Sequence, residues 1–361
     1  MSFVFSKRLR VAFAPPQYLA LPFSGIDLST SGVKAVRLAE GVQGLTLASY
    51  TEVLLPVGAF VSGEIVDRVA IATALASAAR ATGISATNAM LPESKAYLFE
   101  TSVPGTNKAG WRTAIEQHLD ELIPLPPAET SFDLVEVGRG EHDDRLVAGI
   151  GFARRIVDDT LSAFDQANIS VRAIEGETFA IARALLPRGD TSTVLIIDVG
   201  KTTTKMTIVV GGVPRFATTI SIGGHALTLA VQKYFGVTDA EARIVKAERG
   251  IVPAPGNEEY LASMLSTVSA IRDEISHRLD YWQEKETRKG VHEKVTHAIL
   301  AGGNASIRGF PEYLEGALRI PVTTGDVFTN FASRDMWIPQ LDYTESLAYA
   351  TAIGLALRDR M

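Results

Sequence analysis

The stretch Thr193–Val210 combines residue types that bind phosphate groups. An apolar run ends at Asp198, a polar turn with Gly200 and Lys201–Thr204 follows, and the next run alternates apolar and polar residues. Two β-branched runs joined by a short turn that contains glycine indicate a hairpin. The turn would present backbone N–H groups, three hydroxyls and one ammonium to an anion, and Asp198 at the strand end could hold a hydrated Mg²⁺. The stretch therefore predicts a phosphate-binding hairpin.

A second copy of this pattern stands about 170 residues earlier in the chain. There an apolar strand ends at Asp27, a turn rich in hydroxyl groups contains Gly32, and the following strand carries Lys34. We interpret the repetition as an internal duplication. Two such hairpins that face each other would hold a phosphate chain from both sides. The alternative is that each is an ordinary hairpin and that the repetition arose by chance.

The segment Gly200-Lys201-Thr202 also looks like the end of a Walker A loop, which is a different kind of phosphate site. That motif requires a glycine five residues before its second glycine, and Leu195 occupies this position inside the predicted strand. No helical pattern follows Thr202. We therefore reject the Walker A interpretation and keep the hairpin.

Two Gly-Gly pairs and three charged residues complete the candidate ligand contacts. Gly223-Gly224 opens a predicted helix, where backbone N–H groups can bind an anion. Gly302-Gly303 follows a predicted strand and precedes a predicted helix, so its backbone would approach a flat group such as adenine. Glu177, at the start of another helix, would either orient water or face the helix dipole. Glu241 and Lys246 would either reach a ribose or remain solvated helix charges.

The composition is that of a globular protein with more than one domain. The 361 residues are 46% apolar and 21% charged, and the net charge of −6 offers no electrostatic reason to bind nucleic acid. The absence of cysteine excludes disulfides and thiolate metal sites, and the histidines lack metal-ligand spacing. No apolar run reaches the roughly 18 residues of a spanning helix. No signal-peptide core is present either, so we interpret the protein as cytoplasmic.

The other segments indicate alternating strands and helices. Met1–Pro22 is an arm of apolar residues, prolines and three cations, which would contact either an anionic membrane surface or the protein itself. Residues 96–170 indicate a small α+β unit in which Trp111–Leu122 is one helix, and Leu347–Leu357 is a closing helix. Glu258–Arg288 is one long amphipathic helix. Its apolar positions are Leu261, Leu265, Val268, Ile271, Ile275, Leu279 and Trp282.

Taken in order, the two hairpins and the Gly302-Gly303 turn resemble the phosphate and adenosine motifs of the actin/Hsp70/sugar-kinase ATPase superfamily. Within it, the chain from Pro15 onward most resembles the PilM family of type IV pilus assembly proteins, which are relatives of FtsA. The stretches that carry the resemblance are GIDLSTSGVKAVRL, AIEQHLDELIPLPPAETSFDLVEV, IEGETFAIARAL, DVGKTTTKMTIVVGG, ISIGGHALTLAV, RDEISHRLDYW, AILAGGNASIRGFPEYLEGAL and AIGLALR. The resemblance implies an α/β, actin-like ATPase fold. Two duplicated lobes would enclose a nucleotide cleft, and an SHS2-like α+β subdomain would be inserted in the first lobe.

The resemblance also implies how the chain divides into an arm, two lobes and two subdomains. The ranges are 1–22 for the arm; 23–95, 171–190 and 341–361 for the first lobe; 96–170 for the inserted subdomain; 191–235 and 293–340 for the second lobe; and 236–292 for a helical subdomain.

Carried over position by position, the resemblance implies a site for ATP and Mg²⁺. The implied phosphate contacts are Thr30, Ser31, Lys34, Gly200, Lys201, Thr202 and Thr203, the ribose contacts Gly224, Glu241 and Lys246, and the adenine contacts Gly302, Gly303 and Asn304. Asp27 and Asp198 would hold Mg²⁺ through water, and Glu177 is the candidate catalytic residue. Ser29 stands where the family usually has a glycine, and its side chain would crowd the phosphates. We therefore expect ATP binding with slow or absent hydrolysis in the absence of partners.

The resemblance further implies an adaptor that is peripheral to the cytoplasmic face of the inner membrane. Its partner would be the N-terminal cytoplasmic peptide of a PilN-like membrane protein, docked between the inserted subdomain and the first lobe, and self-association stays open. One alternative is an FtsA-like filament-forming division adaptor, although the segment Leu357–Met361 lacks the amphipathic membrane helix with which such chains usually end. Another is a small-molecule kinase, for which we find no catalytic aspartate.

Overall fold

The computed structural model describes residues 23–41, 44–105, 107–140, 144–288 and 293–360. The predicted arm Met1–Pro22 lies outside the described residues. The strands are β1 (Phe23–Leu28), β2 (Gly32–Gly41), β3 (Gly44–Leu54), β4 (Phe60–Val61), β5 (Glu64–Ile65), β6 (Ala86–Leu91), β7 (Tyr97–Val103), β8 (Thr130–Arg139), β9 (Arg145–Ala153), β10 (Ser170–Gly176), β11 (Thr193–Val199), β12 (Thr204–Val210), β13 (Val213–Ile220), β14 (His297–Ala301) and β15 (Val322–Thr324). The α-helices are α1 (Arg68–Thr82), α2 (Lys108–Glu116), α3 (Leu119–Leu122), α4 (Arg154–Gln166), α5 (Glu177–Leu185), α6 (Gly224–Phe235), α7 (Asp239–Arg249), α8 (Glu258–Arg288), α9 (Phe310–Leu318), α10 (Tyr343–Ser346) and α11 (Ala350–Leu357).

Two five-stranded sheets share one topology. The first has the strand order β10-β6-β1-β2-β3, and the second, read in the same direction, has the order β15-β14-β11-β12-β13. In each sheet the three strands on one side are antiparallel neighbours and the remaining strands pair in parallel. This repetition of order and direction confirms the predicted duplication. We call the sheet of β1 with α1, α5 and α11 the first lobe, and the sheet of β11 with α6–α9 the second lobe.

The two predicted phosphate hairpins have the same cross-strand register. Asp27 on β1 lies opposite Lys34 on β2, and Asp198 on β11 lies opposite Lys205 on β12. Directly opposite residues of antiparallel strands place their side chains on the same face of the sheet. Each hairpin therefore brings one acidic and one basic side chain together beside its turn.

Small residues allow α5 and α11 to pack closely between the two sheets. A β-carbon at Gly354 would lie 1.8 Å from the carbonyl oxygen of Ala180, so only glycine permits this approach of the two helices. All eight residues of α11 are buried, and residues of α5 and α11 join the apolar core of the second lobe. The packing holds the first turn of α5, and with it Glu177, at the junction of the two lobes.

A separate antiparallel sheet of order β7-β9-β8 forms the inserted subdomain together with α2, α3 and α4. The prediction of one helix over Trp111–Leu122 is wrong, because the chain leaves helical geometry at His118, with φ −129° and ψ 22°. The break produces α2 and α3. It allows Leu119 and Ile123 to be buried in the same apolar cluster as Trp111.

Three other predicted helices differ in detail. Helix α8 has the predicted bounds, but at its beginning Tyr260 and Met264 are buried instead of Leu261 and Leu265, which keeps the buried stripe close to the helical period. No helix follows Gly302-Gly303 directly, since residues 302–309 form turns before α9 begins. The closing helix is preceded by a 3₁₀ turn at Leu347–Tyr349. Within the described ranges, no helix has both the length and the apolar character needed to cross a bilayer.

Candidate functional site

The two hairpin turns face each other across a cavity of about 330 Å³. This volume lies within the roughly 300–1,000 Å³ typical of small-molecule sites. The predicted site residues that line it are Asp27, Thr30, Ser31, Lys34, Asp198, Gly200, Lys201, Thr203, Gly224, Lys246, Gly302, Gly303 and Asn304. Lining residues that sequence reasoning did not assign include Glu52, Lys205, His225, Thr228, Arg243, Ala348 and Thr351. Thr202, Glu241 and Glu177 lie outside this set.

The first turn is a two-residue hairpin loop. The Ser29 N–H donates to the Gly32 carbonyl at 3.0 Å, and the Gly32 N–H donates back at 3.2 Å. The Ser29 hydroxyl lies 2.9 Å from the Ser31 hydroxyl and donates to the Gly32 carbonyl at 3.3 Å. The Ser29 side chain is therefore bonded within its own turn. Lys34 reaches the same turn, because its ammonium donates to the Ser31 hydroxyl at 2.9 Å.

The second turn touches the first and is supported by α6. The hydroxyl oxygens of Thr30 and Thr202 are 3.1 Å apart, which joins the turns of the two lobes at the mouth of the cavity. The N–H groups of Gly224 and His225 donate to the carbonyls of Gly200 and Lys201, at 2.9 and 2.7 Å. The predicted anion site at the beginning of α6 is wrong for these two N–H groups, because the turn already uses them. Gly224 borders the cavity without offering its N–H to a ligand.

The turn after β14 packs against the strand end that carries Asp198. Gly302 has a φ of +87°, and a β-carbon there would lie 2.3 Å from a carboxylate oxygen of Asp198. The Asn304 amide donates to the carbonyls of Val199 and Gly200, at 3.3 and 3.0 Å. Gly302 thus leaves room for Asp198, and Asn304 fixes the position of the turn between β11 and β12.

Lys246 and Glu241 occupy different environments on α7. The Lys246 ammonium is buried and donates to the Asn304 side-chain oxygen at 2.8 Å and to the Thr228 hydroxyl at 3.1 Å. Burial and the nearby Arg243 charge lower the pKa of Lys246 to about 8. The Glu241 carboxylate accepts the N–H and the hydroxyl of Thr238, at 2.9 and 2.7 Å, in a capping box at the beginning of the helix. A ribose contact by Glu241 stays a prediction.

The carboxylates of Asp27, Asp198 and Glu177 lie close to the Lys205 ammonium, whereas the Lys34 ammonium pairs with Glu52 at 3.1 Å. Lys205 lies 2.8 Å from Glu177 and 3.8 Å from Asp198. Burial raises the pKa of Asp27 to about 6, although Lys34 and Lys205 oppose the shift. Burial likewise raises the pKa of Asp198. For Lys205, burial acts to lower the pKa, but the attraction of Glu177 and Asp198 outweighs it and raises the pKa.

Glu177 is buried beside this cluster and is already hydrogen bonded. Its carboxylate accepts the Glu93 N–H at 2.7 Å and the Lys205 ammonium at 2.8 Å. It lines a second, much smaller cavity of about 10 Å³ together with Asp198 and Lys205. Its predicted role in orienting water is not tested by this geometry. The sequence did offer a signal for Lys205, because it follows Asp198 by the same spacing that separates Lys34 from Asp27.

The donor set fits a hydrated magnesium ion that accompanies a phosphate chain. Mg²⁺ usually keeps several waters and uses one or two carboxylates together with substrate phosphates. Asp27 and Asp198 supply two carboxylates at the cavity wall. Among the described residues, no group of three acidic or histidine side chains is arranged to hold a metal ion by itself. The residues therefore suit a metal ion that arrives with a phosphate ligand.

Comparison with known proteins gives one family and several related folds. The family model described as type IV pilus assembly protein PilM matches residues 25–360. A solved structure of a PilM–PilN type IV pilus biogenesis complex is 19% identical, covers 93% of this chain and 97% of that chain, and has a TM-score of 0.73. Ethanolamine utilization protein EutJ from Carboxydothermus hydrogenoformans is 16% identical, with coverages of 95% and 90% and a TM-score of 0.52. MreB5 of Spiroplasma citri bound to ADP is also 16% identical, with coverages of 93% and 95% and a TM-score of 0.52. These likenesses confirm the predicted α/β, actin-like fold of two lobes.

Proposed function

The chain belongs to the PilM family of type IV pilus assembly proteins, and from this premise we propose that it is an ATP-binding scaffold of pilus assembly. Its nucleotide state would be coupled to binding of the N-terminal cytoplasmic tail of a PilN-like inner-membrane protein. The observation that carries the nucleotide part is the meeting of two phosphate turns, one from each lobe, above the carboxylates of Asp27 and Asp198.

The cavity supports a nucleotide by its shape and by its donors. At the phosphate end it offers the hydroxyls of Thr30, Ser31 and Thr203 and the ammonium groups of Lys34 and Lys201. At the other end, the turn with Gly302, Gly303 and Asn304 is proposed to border adenine, while Gly224, Glu241 and Lys246 are proposed to border the ribose. Thr202 and Gly200 would complete the second phosphate turn. The MreB5 structure with bound ADP supports nucleotide binding by this fold.

Magnesium would neutralise phosphate charge in this site when it is bound. Asp27 and Asp198 would accept hydrogen bonds from its water ligands, and burial gives both groups raised pKa values. Metal binding favours the ionised carboxylates. The proton that Asp27 holds at acidic pH would therefore leave when the metal–nucleotide complex binds.

We expect the isolated protein to hold ATP rather than consume it rapidly. Glu177 is the candidate catalytic residue, but its carboxylate is already bonded to Lys205 and to the Glu93 N–H. A general base must lie within hydrogen-bond distance of the water that it activates. Glu177 does not line the cavity that would hold the nucleotide, so its carboxylate must move before it can reach a water there.

We place the partner peptide between the inserted subdomain and the first lobe, which would make the protein peripheral to the inner membrane. The PilM–PilN complex, in which a protein of this fold is assembled with PilN, supports a PilN-like partner. Val61, Val66 and Val69 leave 46%, 64% and 75% of their surface exposed near this junction. They adjoin Glu64 and Arg68, whose ion pairs with Arg155 and Asp159 link the first lobe to α4. These exposed apolar side chains could contact apolar residues of a partner peptide.

Calorimetric titration with Mg–ATP tests the nucleotide site. We expect Asp198→Ala to weaken binding by at least about tenfold, since a lost charge contact of about 1.4 kcal/mol has that effect. Asp273→Ala is the matched control, because Asp273 lies on α8 and pairs with Arg272 outside the cavity. An unchanged affinity in Asp198→Ala would refute the assignment of the site. Titration with the cytoplasmic peptide of the PilN-like protein, with and without Mg–ATP, tests the coupling.

A further inference from the structure

Three polar contacts join the second lobe to the first lobe and its inserted subdomain, and the donor of the first, Lys205, lines the cavity. Each has its donor on β12 or β13 of the second lobe. The contacts are Lys205 to Glu177, Thr219 to Glu93, and Arg215 to Glu100. We propose that these three contacts, which we call the interlobe latch, transmit nucleotide occupancy of the cavity to the inserted subdomain. This inference rests on the proposed nucleotide function.

The donors of the interlobe latch are brought together by the register of one hairpin. Lys205 and Thr219 lie directly opposite each other on β12 and β13. Further along, Ile208 pairs with Phe216 and Val209 pairs with Pro214, so Arg215 is the extra residue of a β-bulge. A bulge redirects the side chain that it carries. The edge strand β13 and its neighbour β12 therefore present the three donors to the facing lobe.

The acceptors lie where the chain passes from the first lobe into the inserted subdomain. Glu93 belongs to the 3₁₀ turn Glu93–Lys95, which directly follows β6 of the first lobe. Glu100 lies on β7, the first strand of the inserted subdomain. Glu177 is tied to this passage, because its carboxylate accepts the Glu93 N–H at 2.7 Å. A displacement of Glu177 would therefore move Glu93, which lies where the chain enters the inserted subdomain.

The charged contacts of the interlobe latch are shielded from solvent. The side chains of Lys205 and Glu177 are 24% and 4% exposed, and those of Arg215 and Glu100 are 13% and 19% exposed. Exposed ion pairs contribute little, whereas breaking a shielded pair leaves a poorly solvated charge behind. The ion pairs of the interlobe latch therefore favour two discrete arrangements, with the paired side chains either in contact or fully separated, over intermediate distances.

The nucleotide acts on the interlobe latch through Lys205. This residue lines the cavity and lies 3.8 Å from Asp198, so phosphates in the cavity compete with Glu177 for its ammonium. A displacement of the Lys205 ammonium weakens its bond to Glu177, and a displaced Glu177 moves the Glu93 N–H that it holds. The contact between Arg215 and Glu100 then transmits this movement to β7. Two ligand sites are coupled when an element between them has two arrangements and each ligand shifts the equilibrium between these arrangements. The interlobe latch is proposed as that element.

Amide hydrogen exchange with Mg²⁺ and AMPPNP tests the interlobe latch. In the wild type, we expect saturating Mg–AMPPNP to change exchange in residues 200–204 and, by about fivefold or more, in residues 93–103. In Glu100→Gln and in Arg215→Gln, the response of residues 200–204 should remain and that of residues 93–103 should be largely lost. Glu136→Gln is the matched control, because Glu136 pairs with Arg145 within the inserted subdomain. The exchanged pair Glu100→Arg with Arg215→Glu should restore the distant response.

Two results would overturn the inference. The first refutes the interlobe latch alone, and the second also refutes the nucleotide site. If residues 93–103 respond in Glu100→Gln and Arg215→Gln as they do in the wild type, the interlobe latch does not transmit and the nucleotide site stands. If residues 200–204 of the wild type do not respond, the cavity does not bind the nucleotide, and the proposed function fails together with the latch. Unchanged exchange in α8 of each variant confirms that the variant is folded.

Discussion

Replacing Gly302 by alanine should damage both the fold and the nucleotide site. The residue has a φ of +87°, which costs an L-residue about 1–2 kcal/mol. The added β-carbon would lie 2.3 Å from an oxygen of Asp198 and 2.7 Å from the Val199 carbonyl oxygen, and overpacking of this kind costs about 1–3 kcal/mol. The sum is a loss of roughly 2–5 kcal/mol in the free energy of unfolding. If Asp198 moves to relieve the contact, the affinity for Mg–ATP falls as well.

Gly303 provides a matched control one residue away. A β-carbon at Gly303 would have Ala348 as its nearest neighbour, at 3.6 Å, and Gly303 is not among the residues with positive φ. We expect Gly303→Ala to change the free energy of unfolding by less than about 0.5–1 kcal/mol. Urea unfolding of the two variants measures the effect on stability, and Mg–ATP titration of Gly302→Ala against the wild type measures the effect on affinity. If Gly302→Ala is as stable as the wild type, or if both variants lose the same free energy of unfolding, the special requirement for glycine at position 302 is refuted.

Two further predictions concern pH and turnover. Because burial raises the pKa of Asp27 to about 6, the folded state binds the Asp27 proton more tightly than the unfolded state does. The stabilisation by this proton is fully present below the unfolded pKa of about 3.8 and is lost as the pH rises through about 6. Binding of Mg–ATP, in contrast, needs the ionised form. The affinity measured by calorimetry should therefore be about tenfold weaker at pH 5 than at pH 7.5, and Asp27→Asn should remove most of this dependence. Phosphate release by the isolated protein should be slow, because Glu177 does not line the cavity in which an attacking water would lie. Rapid release that Glu177→Gln abolishes would contradict this expectation.

The duplicated hairpins could be predicted because their determinants are local. The apolar runs that end at Asp27 and Asp198, and the short polar turns with glycine that follow, determine strand pairing over a few residues. The helical period likewise predicted the bounds of α8. The same reasoning was wrong at Trp111–Leu122, where the break at His118 depends on burial of Leu119 and Ile123 in a core formed by distant strands.

The tertiary structure decided which polar groups are available for a ligand. From the sequence, the N–H groups of Gly224 and His225 could bind an anion, but packing of α6 on the second phosphate turn uses them for the carbonyls of Gly200 and Lys201. The sequence placed Glu177 at the beginning of a helix, and only the packing of the two lobes brings Lys205 within 2.8 Å of it.

The amino-acid sequence by itself thus determined the two hairpin turns, each with an aspartate at the end of its first strand, and the Gly-Gly turn, since each depends on contiguous residues. Their union into one cavity, and the partners that occupy Glu177 and Gly224, were decided by contacts between residues far apart in the chain. Such contacts depend on how the two sheets pack through α5 and α11, and no local pattern of hydrogen bonding or hydrophobic period encodes that packing.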